Sequence, residues 1–151
     1  IIIRKPNEKE LLELSNISIE IFKDNIDYDS DYKTNWSTKS VHKYFKFLLK
    51  DSKSLLLVVF YKDKLIGYLS ASRKIDENRR SKHLEVLDLG ILDKFRSRGA
   101  GKLLILECTK WAKSKGFDKL FVNSYIKNKG AIHFYQNLGF NKIDISLEKV
   151  I

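Results

Sequence analysis

The residues Arg96-Ser97-Arg98-Gly99-Ala100-Gly101-Lys102, written R-S-R-G-A-G-K, place three cations and two glycines directly before the apolar run L-L-I-L. A strand is predicted to end near Leu92 and a helix to begin near Gly99. The first N–H groups of a helix have no partner inside it, and glycines let an anion approach them closely. The helix dipole adds about half a positive charge at the same end. The segment therefore predicts a phosphate site, the alternative being a tight turn whose arginines are only solvated.

Two common nucleotide motifs do not explain this segment. A Walker loop needs a glycine where Arg96 stands and a hydroxyl where Leu103 stands. A dinucleotide fingerprint needs a third glycine, and that position holds Leu104. What remains is a general anion site at a helix start or a tight turn whose arginines are only solvated.

The composition is typical of one globular domain over residues 1–151, with 43% hydrophobic and 32% charged residues. The net charge of +10 indicates either a polyanionic partner or a surface solvated by scattered lysines. The single cysteine, Cys108, is expected in the core, and no cluster of Cys and His predicts a metal. No apolar run is long enough to cross a bilayer, and the first residues lack a signal-peptide pattern. We therefore expect a cytoplasmic protein without a membrane partner.

The order of hydrophobic patterns predicts a strand, two helices, three strands, a helix, a strand, a helix and one or two final strands. Asn7 and Glu10 resemble a capping box before the first helix, and Ser37 or Thr38 can cap the second. Residues 24–36 show no sustained period and are predicted to form a loop. The order indicates a mixed α/β (α+β) domain.

The stretch I-L-D-K-F-R-S-R-G-A-G-K-L-L resembles motif A of the GNAT acetyltransferase superfamily, with Arg96, Gly99 and Gly101 at its fixed positions. Downstream, N-K-G-A-I-H-F-Y-Q-N-L-G-F resembles motif B of the same superfamily. The positions that match motif B are Asn128, Ala131, Tyr135, Gly139 and Phe140. The resemblance implies a mostly antiparallel sheet of six or seven strands, splayed between strands 4 and 5, with about four helices.

The resemblance also implies transfer of an acetyl group from acetyl-CoA to a primary amine, by direct attack of the amine. The acceptor would be a small-molecule amine, an amino acid or a peptide N-terminus. The backbone N–H groups of residues 98–102 would hold the pyrophosphate of coenzyme A, and the pantetheine arm would lie in the splay. The expected cofactor-binding residues are Leu89, Ile91, Leu92, Arg96, Arg98, Gly99, Ala100, Gly101, Lys102 and Asn128, the last of which is equally explained as a helix cap.

The resemblance assigns the two catalytic roles to Tyr135 and Glu85. Tyr135 would protonate the departing thiolate, and Glu85 on the fourth strand would take the proton of the amine. Alternation by two places His83, Glu85, Leu87 and Leu89 on one face of that strand and Asp88 on the other. Asp88 and then His83 are the alternative bases, and some members of the superfamily need no single base.

The acceptor is expected on the side of residues 24–36, which combine acids with aromatic rings. Asp27, Tyr28, Asp29 and Trp36 are the predicted substrate-binding residues, because carboxylates and ring faces attract a cationic amine. The alternative is a solvated acidic loop.

Two other functions are weighed against acetyl transfer. One is a CoA-binding sensor without catalysis. The other is a nucleic-acid-binding module, which the scattered charge supports less. A homodimer is left open.

Overall fold

The structure is a computed structural model that describes residues 1–151. The chain forms five strands, which are β1 (Ile2–Arg4), β2 (Ser54–Tyr61), β3 (Lys64–Lys74), β4 (His83–Ile91) and β5 (Lys119–Val122). It forms four α-helices, which are α1 (Leu11–Phe22), α2 (Thr38–Lys50), α3 (Ala100–Ser114) and α4 (Lys129–Asn137). Short 3-10 turns cover Glu8–Glu10, Lys23–Asp27 and Asp93–Phe95. This order confirms the predicted sequence of elements up to the fourth helix.

The helix ends follow the predicted capping chemistry. Asn7 accepts a hydrogen bond from the Glu10 N–H at 3.2 Å, and the Glu10 carboxylate accepts one from the Asn7 N–H at 2.9 Å. Ser37 caps α2 by accepting from the Ser40 N–H at 3.1 Å. The loop predicted from residue 24 begins instead with the 3-10 turn that follows α1.

The sheet has the order β1-β2-β3-β4-β5 and is antiparallel except for the parallel pair β4 and β5. Helices α1 and α2 cover one face, and α3 covers the other. The strand β2 carries the continuous run L-L-L-V-V because both of its faces are buried. Leu55, Leu57 and Val59 belong to the core beneath α3, whereas Leu56 and Val58 belong to the core beneath α1 and α2.

A β-bulge in β4 decides which side chains meet at the centre of the sheet. Ser70 pairs with Asp88 while Ala71 pairs with Val86, so Leu87 is an extra residue with no partner on β3. The extra residue reverses the alternation along β4. The prediction that Glu85 and Asp88 lie on opposite faces is therefore wrong, since both face the side of α2.

The sheet is splayed between β4 and β5, as predicted. The two strands pair only from His83 with Lys119 to Val86 with Val122. Beyond Val86, β4 continues to Ile91 without a partner on that side. The extra residue and the loss of pairing begin at the same point, so the gap opens at the bulge.

The predicted count of six or seven strands is wrong, because residues 141–151 form no strand. Their alternating pattern is typical of a strand, but these residues make no backbone hydrogen bond in the chain. A strand requires a neighbour to pair with, and no other segment lies in register beside this one. The sheet accordingly ends at β5.

Candidate functional site

The start of α3 presents a row of unpartnered backbone N–H groups. The helix is preceded by Gly99 at φ 85°, and no side chain caps it. Its first hydrogen bond runs from the Leu103 N–H to the Gly99 carbonyl at 3.1 Å. The N–H groups of residues 98–102 make no hydrogen bond within the chain. This helix end can therefore accept an anion such as a phosphate.

The three cations of the segment have different surroundings. Arg96 pairs with Asp93 at 2.8 Å, and its Nε donates to the Ile91 carbonyl at 2.9 Å. Arg98 lies over the rings of Tyr61 and Phe95, with its guanidinium carbon 5.9 and 5.7 Å from their centroids. Arg96 therefore holds the loop in shape.

Lys102 is exposed in the first turn of α3 and makes no ion pair. Its ammonium group stays free to meet an anion at the helix start.

The two glycines also serve different purposes. A Cβ on Gly99 would meet nothing within 4 Å, so this glycine is required by its positive φ. A Cβ on Gly101 would lie 3.2 Å from Cζ of Phe134 on α4. Gly101 therefore lets α3 pack closely against α4, and Ala100 beside it is buried.

The unpaired half of β4 offers backbone groups to the gap. The Leu92 N–H donates to the Ile66 carbonyl at 2.8 Å, and the Leu92 carbonyl accepts from the Phe95 N–H. The Leu92 N–H is thus used within the fold, and only its carbonyl can accept a further hydrogen bond, so contact with a pantetheine arm stays a prediction. By alternation, the N–H groups of Leu89 and Ile91 point away from β3 and into the gap.

Asp88 is a partly buried acid in the stretch of β4 that has no partner on the β5 side. Its Oδ2 accepts hydrogen bonds from Ser70 at 2.7 Å and from Tyr44 at 3.3 Å. Its Oδ1 has no partner in the chain and keeps contact with solvent. Burial raises the pKa of Asp88, and the hydrogen bonds from Ser70 and Tyr44 only partly offset this effect.

The other two candidate bases lie nearer the start of β4. Glu85 is partly exposed, and the Asn123 amide donates to its Oε2 at 3.4 Å. His83 is only 3% exposed, and its Nε2 is buried without a hydrogen-bond partner. His83 pairs with Lys119 before the gap opens, whereas Asp88 lies within the opened stretch.

Tyr135 on α4 packs against Phe134 and Phe140, with ring centroids 5.2 and 5.3 Å apart. Its hydroxyl makes no hydrogen bond within the chain and keeps contact with solvent. Burial raises the pKa of Tyr135 to about 12, and the charge of Asp88 adds to the shift. The phenol is therefore protonated at neutral pH, and the charge of Asp88 helps to keep it so.

The predicted acceptor residues divide into two pairs. Tyr28 and Asp29 line an open groove of about 1230 Å³ that also contains Tyr135. Asp27 and Trp36 do not line this groove. The Trp36 ring is covered by the Lys33 ammonium, which lies 4.8 Å from its centroid.

Sequence reasoning missed Tyr125, which follows β5. Its ring stacks on that of Tyr28 with centroids 6.3 Å apart. Its pKa is raised by burial and also by the Asp29 carboxylate. Tyr44 and Ser70 were missed as well, because no motif marks the partners of a buried acid.

Asn128 lies at the start of α4 and accepts from the Ala131 N–H at 3.1 Å. Its side-chain oxygen therefore acts as the helix cap. Its amide NH₂ makes no hydrogen bond in the chain, so contact with a cofactor stays a prediction.

Two further expectations concern metals and membranes. No group of three or more His, Cys, Asp or Glu side chains is placed to hold a metal ion. None of the helices combines the length and apolar content needed to cross a membrane. Cys108 is buried in the core as predicted, and burial raises the pKa of its thiol to about 12.

The mixed sheet that opens between β4 and β5, followed by the uncapped start of α3, is the arrangement that the resemblance to the acetyltransferase superfamily implies. Residues 22–140 match the profile described as "Acetyltransferase (GNAT) family", and the chain belongs to this family. The predicted family is thereby confirmed.

Two relatives illustrate the sequence likeness. The probable N-acetyltransferase san of Drosophila melanogaster is 31% identical over 91 residues, covering 60% of this chain and 48% of that protein. N-alpha-acetyltransferase 50 of Danio rerio is 27% identical over 103 residues, covering 68% of this chain and 60% of that protein. The chain thus spans about half the length of the relatives it matches.

A solved structure shows the same fold over the whole chain. The aminoglycoside N-acetyltransferase AAC(6')-Iy, in complex with CoA, superposes with a TM-score of 0.82 at 17% identity. The match covers 99% of this chain and 93% of that chain. At this identity the likeness supports the fold and leaves the acceptor undecided.

Proposed function

We propose that this chain transfers an acetyl group from acetyl-CoA to a cationic primary amine. The carrying observation is the row of free N–H groups at residues 98–102, which adjoins the gap between β4 and β5. Asp88 and Tyr135 lie beside that gap, where an acid and a base for acyl transfer are needed. The thioester of acetyl-CoA would supply the acetyl group and a thiolate leaving group.

The cofactor fits the groups that the chain provides. A pyrophosphate at the start of α3 would receive several backbone hydrogen bonds and the positive end of the helix dipole. Arg98 and Lys102 add charge, while Arg96 keeps the loop in the required shape. The extra residue Leu87 follows directly after the last pair of β4 with β5, and its apolar side chain is 41% exposed.

We assign the base to Asp88 and keep Glu85 as the alternative. An attacking amine must lose a proton, and a base is more effective when its pKa is raised toward neutrality. Burial gives Asp88 this property, and Ser70 and Tyr44 fix its Oδ2 so that Oδ1 faces the solvent side. Glu85 lies on the same face and adds negative charge that favours a cationic acceptor.

Tyr135 is the proposed acid. Its phenol is protonated at neutral pH because burial and the Asp88 charge raise its pKa to about 12. When Asp88 takes up the proton of the amine, that negative charge disappears and the pKa of Tyr135 falls. Proton uptake at the base therefore makes the acid stronger at the moment when the thiolate leaves.

The groove that contains Tyr135 is lined by both cations and anions, so the acceptor class is proposed from one cluster within it. In that cluster Asp29 acts on Tyr125, whose ring stacks on that of Tyr28. A carboxylate and aromatic faces attract an ammonium group by charge and by cation–π interaction. The aminoglycoside acetyltransferase with the same fold is compatible with this class, but it does not identify the acceptor.

The test is a panel of acceptors incubated with acetyl-CoA, with release of free thiol as the readout. The panel contains polyamines, aminoglycosides, amino acids and peptide N-termini, together with anionic amines as the contrasting class. We expect turnover to be highest for acceptors that carry additional positive charge. A best substrate that is anionic would overturn the acceptor class. Binding of acetyl-CoA without thiol release across the panel would instead favour the CoA-binding sensor.

A further inference from the structure

Three cations lie over two aromatic rings at the tip of the β2–β3 hairpin. The Lys62 ammonium lies 5.5 Å from the ring centroid of Tyr61, and the Lys64 ammonium lies 5.3 Å from that of Phe95. The Arg98 guanidinium reaches both rings from the residue before Gly99. The two ring centroids are 5.9 Å apart, so these five residues form one unit, the cation platform.

The cation platform is anchored in the core. Tyr61 and Phe95 are half-buried and pack against the core beneath α3. Their ring faces hold the cations by cation–π attraction. These contacts use the rings alone, so the Tyr61 hydroxyl takes no part in them. The positive charges are therefore held together at one place on the surface.

No acid of the chain neutralises the cation platform. Lys62, Lys64 and Arg98 are exposed, and none of them makes an ion pair. Asp63 lies between the two lysines in the chain but pairs with neither, whereas Asp93 pairs with Arg96. A ring face attracts a cation without supplying a negative charge. The platform can therefore receive an anion.

The turn that carries Lys62 has an unusual conformation for its residues. Tyr61 pairs with Lys64, so Lys62 and Asp63 form a two-residue hairpin loop. Their φ angles are 45° and 61°, values that favour Asn or Gly in such a loop. Backbone strain of this kind clusters where a side chain is functional. The turn thus places a cation where turn chemistry alone favours a smaller residue.

Arg98 belongs to both anion-binding features of this end of the molecule. Its backbone N–H is the first of the free N–H groups at residues 98–102, and its guanidinium lies in the cation platform. A ligand with two phosphate groups close together could thus meet both features. Coenzyme A has this form, because one ribose carries the pyrophosphate at its 5′ position and a phosphate monoester at its 3′ position. The monoester has a charge of about −1.5 to −2 at pH 7.

We propose that the cation platform binds the 3′-phosphate of coenzyme A while the start of α3 binds the pyrophosphate. This proposal rests on the proposed function, since it takes acetyl-CoA as the acyl donor. Lys62, Lys64 and Arg98 would donate charge-assisted hydrogen bonds to the phosphate oxygens. An acyl donor without the 3′-phosphate would bind more weakly, so the platform would select among acyl carriers.

The test compares the affinities of acetyl-CoA and acetyl-3′-dephospho-CoA, measured by isothermal calorimetry without an acceptor. We expect acetyl-CoA to bind about 10-fold more tightly, because each exposed charge pair contributes little but several act together. Lys62→Gln combined with Lys64→Gln should reduce this ratio to about 3-fold or less and leave the Kd of the dephospho ligand unchanged. Lys43→Gln combined with Lys46→Gln removes the same charge from α2, on the other face of the sheet, and should keep the full ratio.

Each other outcome overturns the proposal. Equal affinities of the two ligands would show that the chain does not recognise the 3′-phosphate, and the proposed acetyl transfer would stand. A full ratio in the Lys62 and Lys64 variant would place the 3′-phosphate elsewhere on the chain. An equal reduction in the Lys43 and Lys46 variant would show that net charge alone attracts the ligand. If neither ligand binds, the acyl donor is wrong and the proposed function fails as well.

Discussion

Asp88 is the residue on which the proposed chemistry depends most. Replacing Asp88 with Asn keeps an oxygen to accept from Ser70 and Tyr44 but removes the base. We expect kcat/KM to fall by about 10²–10⁴, the usual contribution of a positioned base. The acidic limb of the pH profile should disappear, since its group is gone. A larger loss of kcat/KM in Glu85→Gln than in Asp88→Asn would identify Glu85 as the base.

The same substitution should make the folded protein more stable at neutral pH. Burial raises the pKa of Asp88, so between the ordinary Asp value of about 3.9 and the raised value the folded state binds more protons than the unfolded state. The free energy of unfolding of the wild type therefore falls as the pH rises through this window. Asp88→Asn removes that cost, so the variant should have a higher Tm than the wild type above this pH window. A lower Tm for the variant than for the wild type at pH 7.5 would show that the ionised Asp88 carboxylate does not destabilise the fold.

Tyr135→Phe tests the acid without disturbing the packing. The ring contacts with Phe134 and Phe140 remain, so folding and acetyl-CoA affinity should be unchanged. Turnover should fall by about 10²–10⁴, and the basic limb of the pH–rate profile should flatten or move. Tyr61→Phe, at the tip of the β2–β3 hairpin, is the matched control and should turn over normally. If the chemical step is rate-limiting and Tyr135→Phe still turns over at the wild-type rate, Tyr135 is not the acid. Water would then protonate the thiolate.

At the scale of elements, the contact between β4 and α1 depends on a missing side chain. A Cβ on Gly90 would overlap Cγ2 of Ile21 and lie 3.2 Å from Cζ of Phe22. Gly90→Ala should therefore destabilise the fold by about 1–3 kcal/mol, measured by urea unfolding. Gly130→Ala is the control, because its Cβ would meet only the Asn128 side chain at 3.9 Å. Equal stability of the two variants would show that α1 moves aside without cost.

The elements themselves were largely predictable, and the bulge was not. Helix caps and apolar periods are local signals, so Asn7, Ser37 and the β2–β3 hairpin could be located from the sequence. Leu87 continues an ordinary alternating pattern, and nothing local shows that it has no partner on β3. For this reason strict alternation placed Asp88 on the face opposite to Glu85, whereas the register puts both on the same face.

At the scale of the whole molecule, alternation alone could not decide the edge of the sheet. The final segment has the pattern of a strand, but pairing depends on what lies beside it. The acceptor side was predictable only in part for the same reason. Tyr28 and Tyr125 are far apart in the chain, and only the fold brings their rings together.

The whole fold should be stabilised by acetyl-CoA, because the folded chain alone assembles the start of α3 beside the gap. At a ligand concentration one hundred times Kd, the free energy of unfolding should rise by about 2.7 kcal/mol. For a chain of this size the shift in Tm is about 5–11 °C. Acetyl-pantetheine lacks the pyrophosphate and should give a much smaller shift at the same concentration, since it leaves the N–H groups of residues 98–102 unpaired. Equal shifts with both ligands would show that the pyrophosphate does not bind at the start of α3. No shift with millimolar acetyl-CoA would show that the chain does not bind this cofactor.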